Sequence, residues 1–90
     1  PAARLEIIDA YEWYRRRSPR AAEGFVAELE RQLVRIAENP EALMLMLADV
    51  RRVRLRRYPY ALFFRVVDER CYVLACLHGS RDPKVWRDRV

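Results

Sequence analysis

Apolar residues recur every three or four positions through the first 38 residues, and this repeat predicts two helices. Ser18-Pro19 supplies a cap and a proline for the start of the second helix, and Asn39-Pro40 ends it. The tight connection predicts an antiparallel helical hairpin. The first helix, over residues 2–16, carries a second apolar surface, so we expect cover on more than one side. The predicted core positions are Ala3, Ile7, Ala10 and Tyr14, then Ala22, Phe25, Val26, Leu29, Leu33 and Ile36, and the second surface is Leu5, Ile8, Tyr11 and Trp13.

The hydrophobic period changes to two at position 50, which predicts β-strands. Arg52, Arg54 and Arg56 share one face of the first predicted strand, and the residues between them are apolar. A second strand is predicted over residues 60–67 and a third over residues 71–78. The third strand is apolar on both faces, which predicts a central position in the sheet.

Residues 41–49 contain an apolar run without a clear period. We interpret this run as a helical turn or a loop folded onto the core, and the alternative is a surface that meets a partner. Residues 84–90 predict a short helical or irregular tail. The order of elements predicts an α+β fold, with an N-terminal antiparallel helical hairpin packed on a small antiparallel sheet. Ninety residues predict one domain over positions 1–90.

Charge is concentrated in one segment of the chain. Six arginines lie between positions 51 and 65 with no acidic residue among them, whereas the net charge of the whole chain is only +5. A localised basic strip favours an anionic partner, either nucleic acid or an acidic protein segment. The alternative is a solvated outer face of the sheet, which self-repulsion of the arginines disfavours.

Composition excludes several other classes of function. No stretch approaches the roughly 20 apolar residues of a membrane span, and no signal peptide is visible, so we expect a soluble protein. Cys71 and Cys76 lie five positions apart in one predicted strand, so we expect opposite faces, no disulfide, and two buried thiols in a cytoplasmic protein. A metal site would need more ligands, and His78 is the only histidine. No cofactor is expected.

Several motifs in order resemble the RelE/ParE superfamily of toxin–antitoxin toxins, closer to ParE-like and plasmid-stabilisation members. They cover nearly the whole chain. They are Ala3-x-x-x-Ile7-x-x-Ala10-x-x-Trp13-Tyr14, Ser18-Pro19, Phe25, Ile36-Ala37-Glu38-Asn39-Pro40, Arg51-Arg52-Val53-x-Leu55-x-Arg57-x-Pro59-Tyr60, Phe64-Arg65-Val66, and Val73-Leu74-Ala75-x-x-His78-Gly79-x-Arg81-Asp82-Pro83-x-x-Trp86.

The resemblance implies a toxin that a cognate acidic antitoxin neutralises in a hetero-oligomer. RelE-like members cleave messenger RNA on the ribosome, and ParE-like members inhibit DNA gyrase without being nucleases. Arg52, Arg54 and Arg81 match nuclease positions, but Ala61 stands where RelE-like nucleases carry arginine, and Trp86 where they carry tyrosine. Indole cannot act as a general base, so these departures favour gyrase inhibition over catalysis.

The candidate residues follow from both arguments. A nuclease would use Arg52, Arg54, Arg81 and His78, but arginine is a poor base and a lone histidine at a strand end is more often structural. Members of the family usually carry a strand before the first helix, which is missing here. We therefore expect an unprotected sheet edge that invites an antitoxin or a second copy. The expected partner-binding residues are Arg52, Arg54, Arg56, Arg65, Arg81 and Trp86.

Overall fold

A computed structural model describes residues 2–90 and has the predicted α+β architecture. Two long helices come first, a four-stranded antiparallel sheet follows, and a short helix ends the chain. No helix within residues 2–90 is long and apolar enough to cross a membrane. The elements are α1 (Ala2–Arg17), α2 (Pro19–Glu38), a 3₁₀ turn (Pro40–Ala42), β1 (Met44–Leu47), β2 (Val50–Arg54), β3 (Tyr60–Val67), β4 (Arg70–His78) and α3 (Lys84–Arg87).

The helical hairpin forms as its capping residues and prolines predict. The Ser18 hydroxyl accepts a hydrogen bond from the Ala21 N–H at 3.2 Å, which caps α2. Most predicted core positions are buried or packed against the core. The expectation of a second covered side on α1 is wrong, because Leu5 is 61% exposed and Ile8 and Trp13 are both 45% exposed. Of the predicted second surface, Tyr11 packs against the core, whereas Leu5, Ile8 and Trp13 meet solvent.

The sheet has four strands in the order β1-β2-β3-β4, one more than predicted. β4 is an edge strand, so its predicted central position is wrong. Its apolar residues face two ways because separate layers cover the two faces of the sheet: the helical hairpin on one, and Trp86 of α3 on the other. Burial on both faces therefore arises without a neighbouring strand on each side.

The additional strand is β1, in the run that we expected to fold onto the core. Leu43 does enter the core, at 6% exposure. Beyond it the chain pairs with β2, and Met44, Leu45 and Leu47 are 59%, 54% and 47% exposed. The prediction of a turn or loop against the core is therefore wrong for β1, which is an apolar edge strand.

The first arginine-rich strand is shorter than the alternation predicts. β2 ends at Arg54, and the chain turns through Arg57, which has a φ of 70°. Arg56 therefore lies in the β2–β3 connection instead of on the strand face with Arg52 and Arg54. Its N–H donates to the buried Glu28 carboxylate at 2.5 Å, which draws the connection onto α2.

Both cysteines are free, as expected, but only Cys76 is buried. Cys71 is exposed, which corrects the prediction of two buried thiols. A register irregularity opposite Phe63 and Phe64 interrupts the alternation of β4, so Val73 and Cys76 pack against the same cluster despite their odd spacing. Alternation from Val73 then places Cys71 on the same face as Cys76, not the opposite one. The five-residue rise, about 16 Å, still prevents a disulfide.

Candidate partner-binding site

A cavity of about 430 Å³ opens on the face of the sheet that lies away from the helical hairpin. Arg52 and Arg54 project from β2 beside Phe63 and Ala61 of β3, which are their partners in register. The loop after β4 and the helix α3 close the opposite side. The lining residues are Met46, Arg52, Arg54, Leu55, Tyr58, Pro59, Tyr60, Ala61, Phe63, Leu77, His78, Gly79, Arg81, Pro83, Trp86 and Arg87.

The cavity brings together five residues that the sequence singled out: Arg52, Arg54, His78, Arg81 and Trp86. Alternation places Arg52 and Arg54 on one face of β2, and the hairpin pairing of β3 with β4 places His78 opposite Tyr60. The Pro59 carbonyl accepts a hydrogen bond from the Gly79 N–H at 2.8 Å, which joins the two loops at the rim. Residues as far apart in sequence as Arg52 and Trp86 therefore surround one space.

Arg56 and Arg65 do not line this cavity. Arg56 is exposed in the β2–β3 connection. Arg65 lies further along β3, and its guanidinium is 3.2 Å from the Asp49 carboxylate. Asp49 stands just outside the arginine-rich segment in sequence but is close enough in space to compensate Arg65, so not every arginine of the segment lacks an acidic neighbour.

The electrostatics of the cavity are one-sided. Among the residues that the structure describes, no aspartate or glutamate lines it, whereas four arginines do. Burial and then the positive charge of neighbouring Arg54 lower the pKa of the Arg52 guanidinium. The Arg52 Nη2 contacts the Met44 sulfur at 3.3 Å, which is a weak acceptor and leaves the charge uncompensated. An anion in the cavity would relieve the repulsion between these arginines.

His78 makes the structural hydrogen bond that its position at a strand end predicts. Its Nδ1 accepts the Ser80 N–H at 3.0 Å and lies 2.8 Å from the Ser80 hydroxyl. Its ring also packs edge-on against Tyr60, with centroids 5.3 Å apart. These contacts set the path of the loop that carries Arg81 into the cavity.

Trp86 is mainly a packing residue. Its side chain is 2% exposed and stacks on Phe63, with ring centroids 4.8 Å apart and an interplanar angle of 17°. The Arg87 guanidinium lies over the indole at 5.6 Å. Trp86 therefore forms part of the cavity floor and anchors α3.

The buried carboxylate of Glu28 is a positioning residue that sequence reasoning missed. It accepts hydrogen bonds from the Arg56 N–H and from the Gln32 amide, the latter at 2.9 Å, and pairs with Arg31 at 2.8 Å. Burial opposes its ionisation, but these bonds outweigh burial and hold the pKa of Glu28 below its ordinary value. Glu28 lies among the buried apolar residues of α2, and its charge was the one feature that set it apart in the sequence.

Two further contacts fix the β2–β3 connection on α2. The Tyr58 hydroxyl donates to the Ala21 carbonyl at 2.9 Å. It passes directly over Gly24, where an added Cβ would collide with the phenol oxygen. No local pattern in the sequence indicates this pairing, because Tyr58 and Ala21 lie 37 positions apart. Together with Glu28, these contacts hold the rim residues Tyr58 and Pro59 in place.

A shallower groove of about 230 Å³ adjoins the cavity on the side of α1. The two spaces share Tyr60, Leu77, His78 and Arg81, but the groove also carries the carboxylates of Glu6 and Asp9. Glu6 is already engaged by the Arg89 guanidinium, with both hydrogen bonds at 2.9 Å. The positive cavity and this acidic groove are therefore distinct parts of one surface.

The chemistry available in the cavity is charge stabilisation more than proton transfer. Burial, followed by the neighbouring Cys76 thiol, raises the pKa of the Tyr60 hydroxyl, which keeps it protonated. Arginines supply fixed positive charge but are poor bases. No cluster of three potential metal ligands occurs within residues 2–90. The cavity is thus best suited to hold an anion.

Comparison with known families adds one finding. A family model described as the ParE toxin of type II toxin–antitoxin system, parDE, matches residues 1–83. The matched range includes Arg52, Arg54, His78 and Arg81 and stops before Trp86 and Arg87. No curated protein gives a match to the chain.

Proposed function

Because this chain belongs to the ParE toxin family of type II toxin–antitoxin systems, we propose that it arrests growth by inhibiting DNA gyrase and that a cognate acidic antitoxin neutralises it. Family membership confirms the resemblance inferred from the motifs. Toxins of this type pair with an antitoxin. The gyrase target, the acidic character of the antitoxin and its contact residues belong to the proposal.

The observation that supports an acidic partner is the cavity with four arginines and no carboxylate. Guanidinium groups bind carboxylates through paired, charge-assisted hydrogen bonds, and desolvation in a cavity strengthens them. We propose Arg52, Arg54 and Arg81 as the central contacts, with Arg56 and Arg65 at the periphery and Trp86 as support. The resulting complex is a hetero-oligomer in the cytoplasm, where it would contribute to plasmid stabilisation.

The antitoxin contact is tested by replacing Arg52, Arg54 and Arg81 together with Ala. Affinity for the purified antitoxin, measured by calorimetry, should fall at least 100-fold, since buried charged contacts each contribute about 1.5–3 kcal/mol. A matched control replaces Arg20 and Arg35, exposed arginines of α2, and should bind normally. Equal affinity of the triple variant and the control would place the antitoxin contact elsewhere.

An edge strand offers the antitoxin a second point of attachment. β1 and β4 are the two edges of the sheet. At β4, the Glu6 carboxylate accepts the Cys76 N–H at 3.0 Å and Arg89 donates to the Leu74 carbonyl at 3.1 Å. β1 carries no charged residue and exposes Met44, Leu45 and Leu47. We therefore propose strand addition at β1, and a strictly monomeric chain without an antitoxin complex in size-exclusion chromatography would contradict it.

Gyrase inhibition is favoured over nuclease activity because the cavity lacks an evident acid–base pair. The test adds the purified chain to gyrase in a supercoiling assay and also looks for trapped cleavage complexes. Inhibition that the antitoxin relieves is the expected result. Absence of any growth defect on expression without the antitoxin would instead indicate a non-toxic binding module.

The second candidate is a ribosome-dependent mRNA endoribonuclease. It is favoured by one observation: the nuclease candidates Arg52, Arg54, His78 and Arg81 line a single cavity. New messenger RNA ends within minutes of induction, mapped by primer extension, would support it. Loss of those ends in the His78→Ala variant would assign the cavity a catalytic function.

A further inference from the structure

We propose that the cavity is a recognition pocket for a carboxylate attached to a large apolar group, as in a peptide with an acidic residue beside an aromatic one. The proposal rests on the proposed function for the identity of the partner, which is the antitoxin. It adds that binding depends on a specific side-chain pair, not on general acidity.

The apolar half of the pocket is its floor. Ala61, Phe63, Leu77 and Trp86 line it and are each less than 10% exposed, so the floor is firmly packed. Met46 of β1 forms a flexible apolar wall, since methionine adapts to the shape of a ligand. A volume of about 430 Å³ lies within the usual range for small-ligand sites.

The charged half surrounds this floor from three elements. Arg52 and Arg54 come from β2, Arg81 from the loop after β4, and Arg87 from α3. Guanidiniums on several sides of one opening can bind a carboxylate through paired hydrogen bonds while its apolar group lies on the floor. This arrangement favours a carboxylate with an adjacent hydrophobic group over a small free anion.

The aromatic residues argue against a nucleotide as the occupant. A base needs a free ring face for stacking, but Trp86 packs one face on Phe63 and has the Arg87 guanidinium over its ring. Tyr60 packs edge-on against His78. The Tyr58 hydroxyl already donates to the Ala21 carbonyl. Few groups thus remain to stack on or read a base.

The test is a nuclear magnetic resonance titration of the full chain with 3-phenylpropionate. The two tryptophans give an internal control, because Trp86 lines the pocket, whereas Trp13 lies on α1 and lines only the adjoining groove. The exposed Trp13→Phe variant assigns the two indole N–H signals. The Trp86 signal should shift with saturation in the millimolar range, and the Trp13 signal should not move.

Three comparison ligands separate the possible outcomes. The neutral 3-phenylpropionamide and the small anion propionate should each bind at least about ten-fold more weakly, since one lacks the charge and the other the apolar group. Adenosine 5′-monophosphate should also bind more weakly. Equal binding of the amide, or tighter binding of the nucleotide, would overturn the proposal, and the second result would indicate nucleic acid.

Variants locate the site. Arg54→Gln and Arg81→Gln should each weaken 3-phenylpropionate binding about ten-fold, whereas Arg35→Gln on α2 should bind like the parent chain. No shift of the Trp86 signal in the parent chain would overturn the pocket. Because antitoxin affinity and growth arrest are measured separately, that result with an intact antitoxin complex would leave the proposed function standing.

Discussion

The Glu28 carboxylate connects the stability of the chain to the shape of the cavity, so its removal is the most informative single change. Glu28 is fully buried and accepts hydrogen bonds from the Arg56 N–H, the Gln32 amide and the Arg31 guanidinium. Replacement with Ala leaves the Arg56 and Gln32 donors without this acceptor. It also leaves a space between α2 and the β2–β3 connection. Replacement with Gln keeps the shape and one acceptor oxygen.

These contacts set the expected magnitudes. Two charge-assisted hydrogen bonds, one from the buried Gln32 amide and one from the partly buried Arg56 N–H, contribute about 1.5–3 kcal/mol each, and the solvent-exposed Arg31 adds at most about 1 kcal/mol. Glu28→Ala should therefore lower the free energy of unfolding by about 3 kcal/mol or more, equivalent to a decrease in Tm of roughly 12–24 °C in a domain of this size. Glu28→Gln should cost about 1 kcal/mol.

The pH dependence supplies an independent check. Since hydrogen bonding holds the pKa of Glu28 below its unfolded value, its contribution is complete above that unfolded value of about 4.3 and is lost as pH falls through the folded pKa. The Glu28→Gln variant should therefore lose less stability than the parent chain between about pH 5 and pH 3.

The assay is chemical denaturation followed by tryptophan fluorescence, at pH 7 and at several acidic values. Glu30→Ala is the matched control, because Glu30 is exposed on the same helix and should change stability by less than about 0.5 kcal/mol. Equal effects of Glu28→Ala and Glu30→Ala would refute the structural role of the buried carboxylate. An acid transition of Glu28→Gln identical to that of the parent chain would refute its ionisation.

Three further predictions concern other contacts. Gly24→Ala should destabilise the chain by about 0.5–2 kcal/mol in thermal unfolding, because the collision of its methyl group with the Tyr58 hydroxyl outweighs the roughly 1 kcal/mol that Ala gains over Gly within a helix; an unchanged or raised Tm would contradict that close approach. Arg89→Met should free the Glu6 carboxylate and speed hydrogen exchange at the Cys76 amide; an unaltered exchange rate would show that Arg89 does not steady this edge. A thiol reagent should label exposed Cys71 quickly and Cys76 only on unfolding, since burial and the Glu6 charge raise the pKa of Cys76 to about 12; equal labelling rates would refute the buried position.

The sequence was sufficient for the elements with strong periodicity and clear ends. Ser18-Pro19 and Asn39-Pro40 bound α2 correctly, and β3 occupies the predicted residues. The features that define these elements are local in the sequence: a capping residue and a proline for α2, and an unbroken alternation for β3. The resemblance to known toxins then identified Arg52, Arg54 and Arg81, and the chemistry that a nuclease needs added His78. The fold brings all four to one cavity.

The remaining features depend on contacts between distant residues. β1 was missed because its apolar side chains stay exposed, so no buried face imposes an alternation on the sequence. β4 was misplaced because α3 covers its second face, which imitates the pattern of a central strand. Glu28 and Arg87 carry no local signal, since their functions arise only when α2 meets the β2–β3 connection and α3 closes the cavity.

We propose that this member of the ParE toxin family acts on gyrase through binding, without cleaving RNA. The most direct measurement adds the purified chain to gyrase and, in parallel, to translating ribosomes with a defined messenger RNA. We predict loss of supercoiling that the antitoxin restores, with the messenger RNA intact. Unaffected supercoiling together with new messenger RNA ends would instead show that the chain is an endoribonuclease.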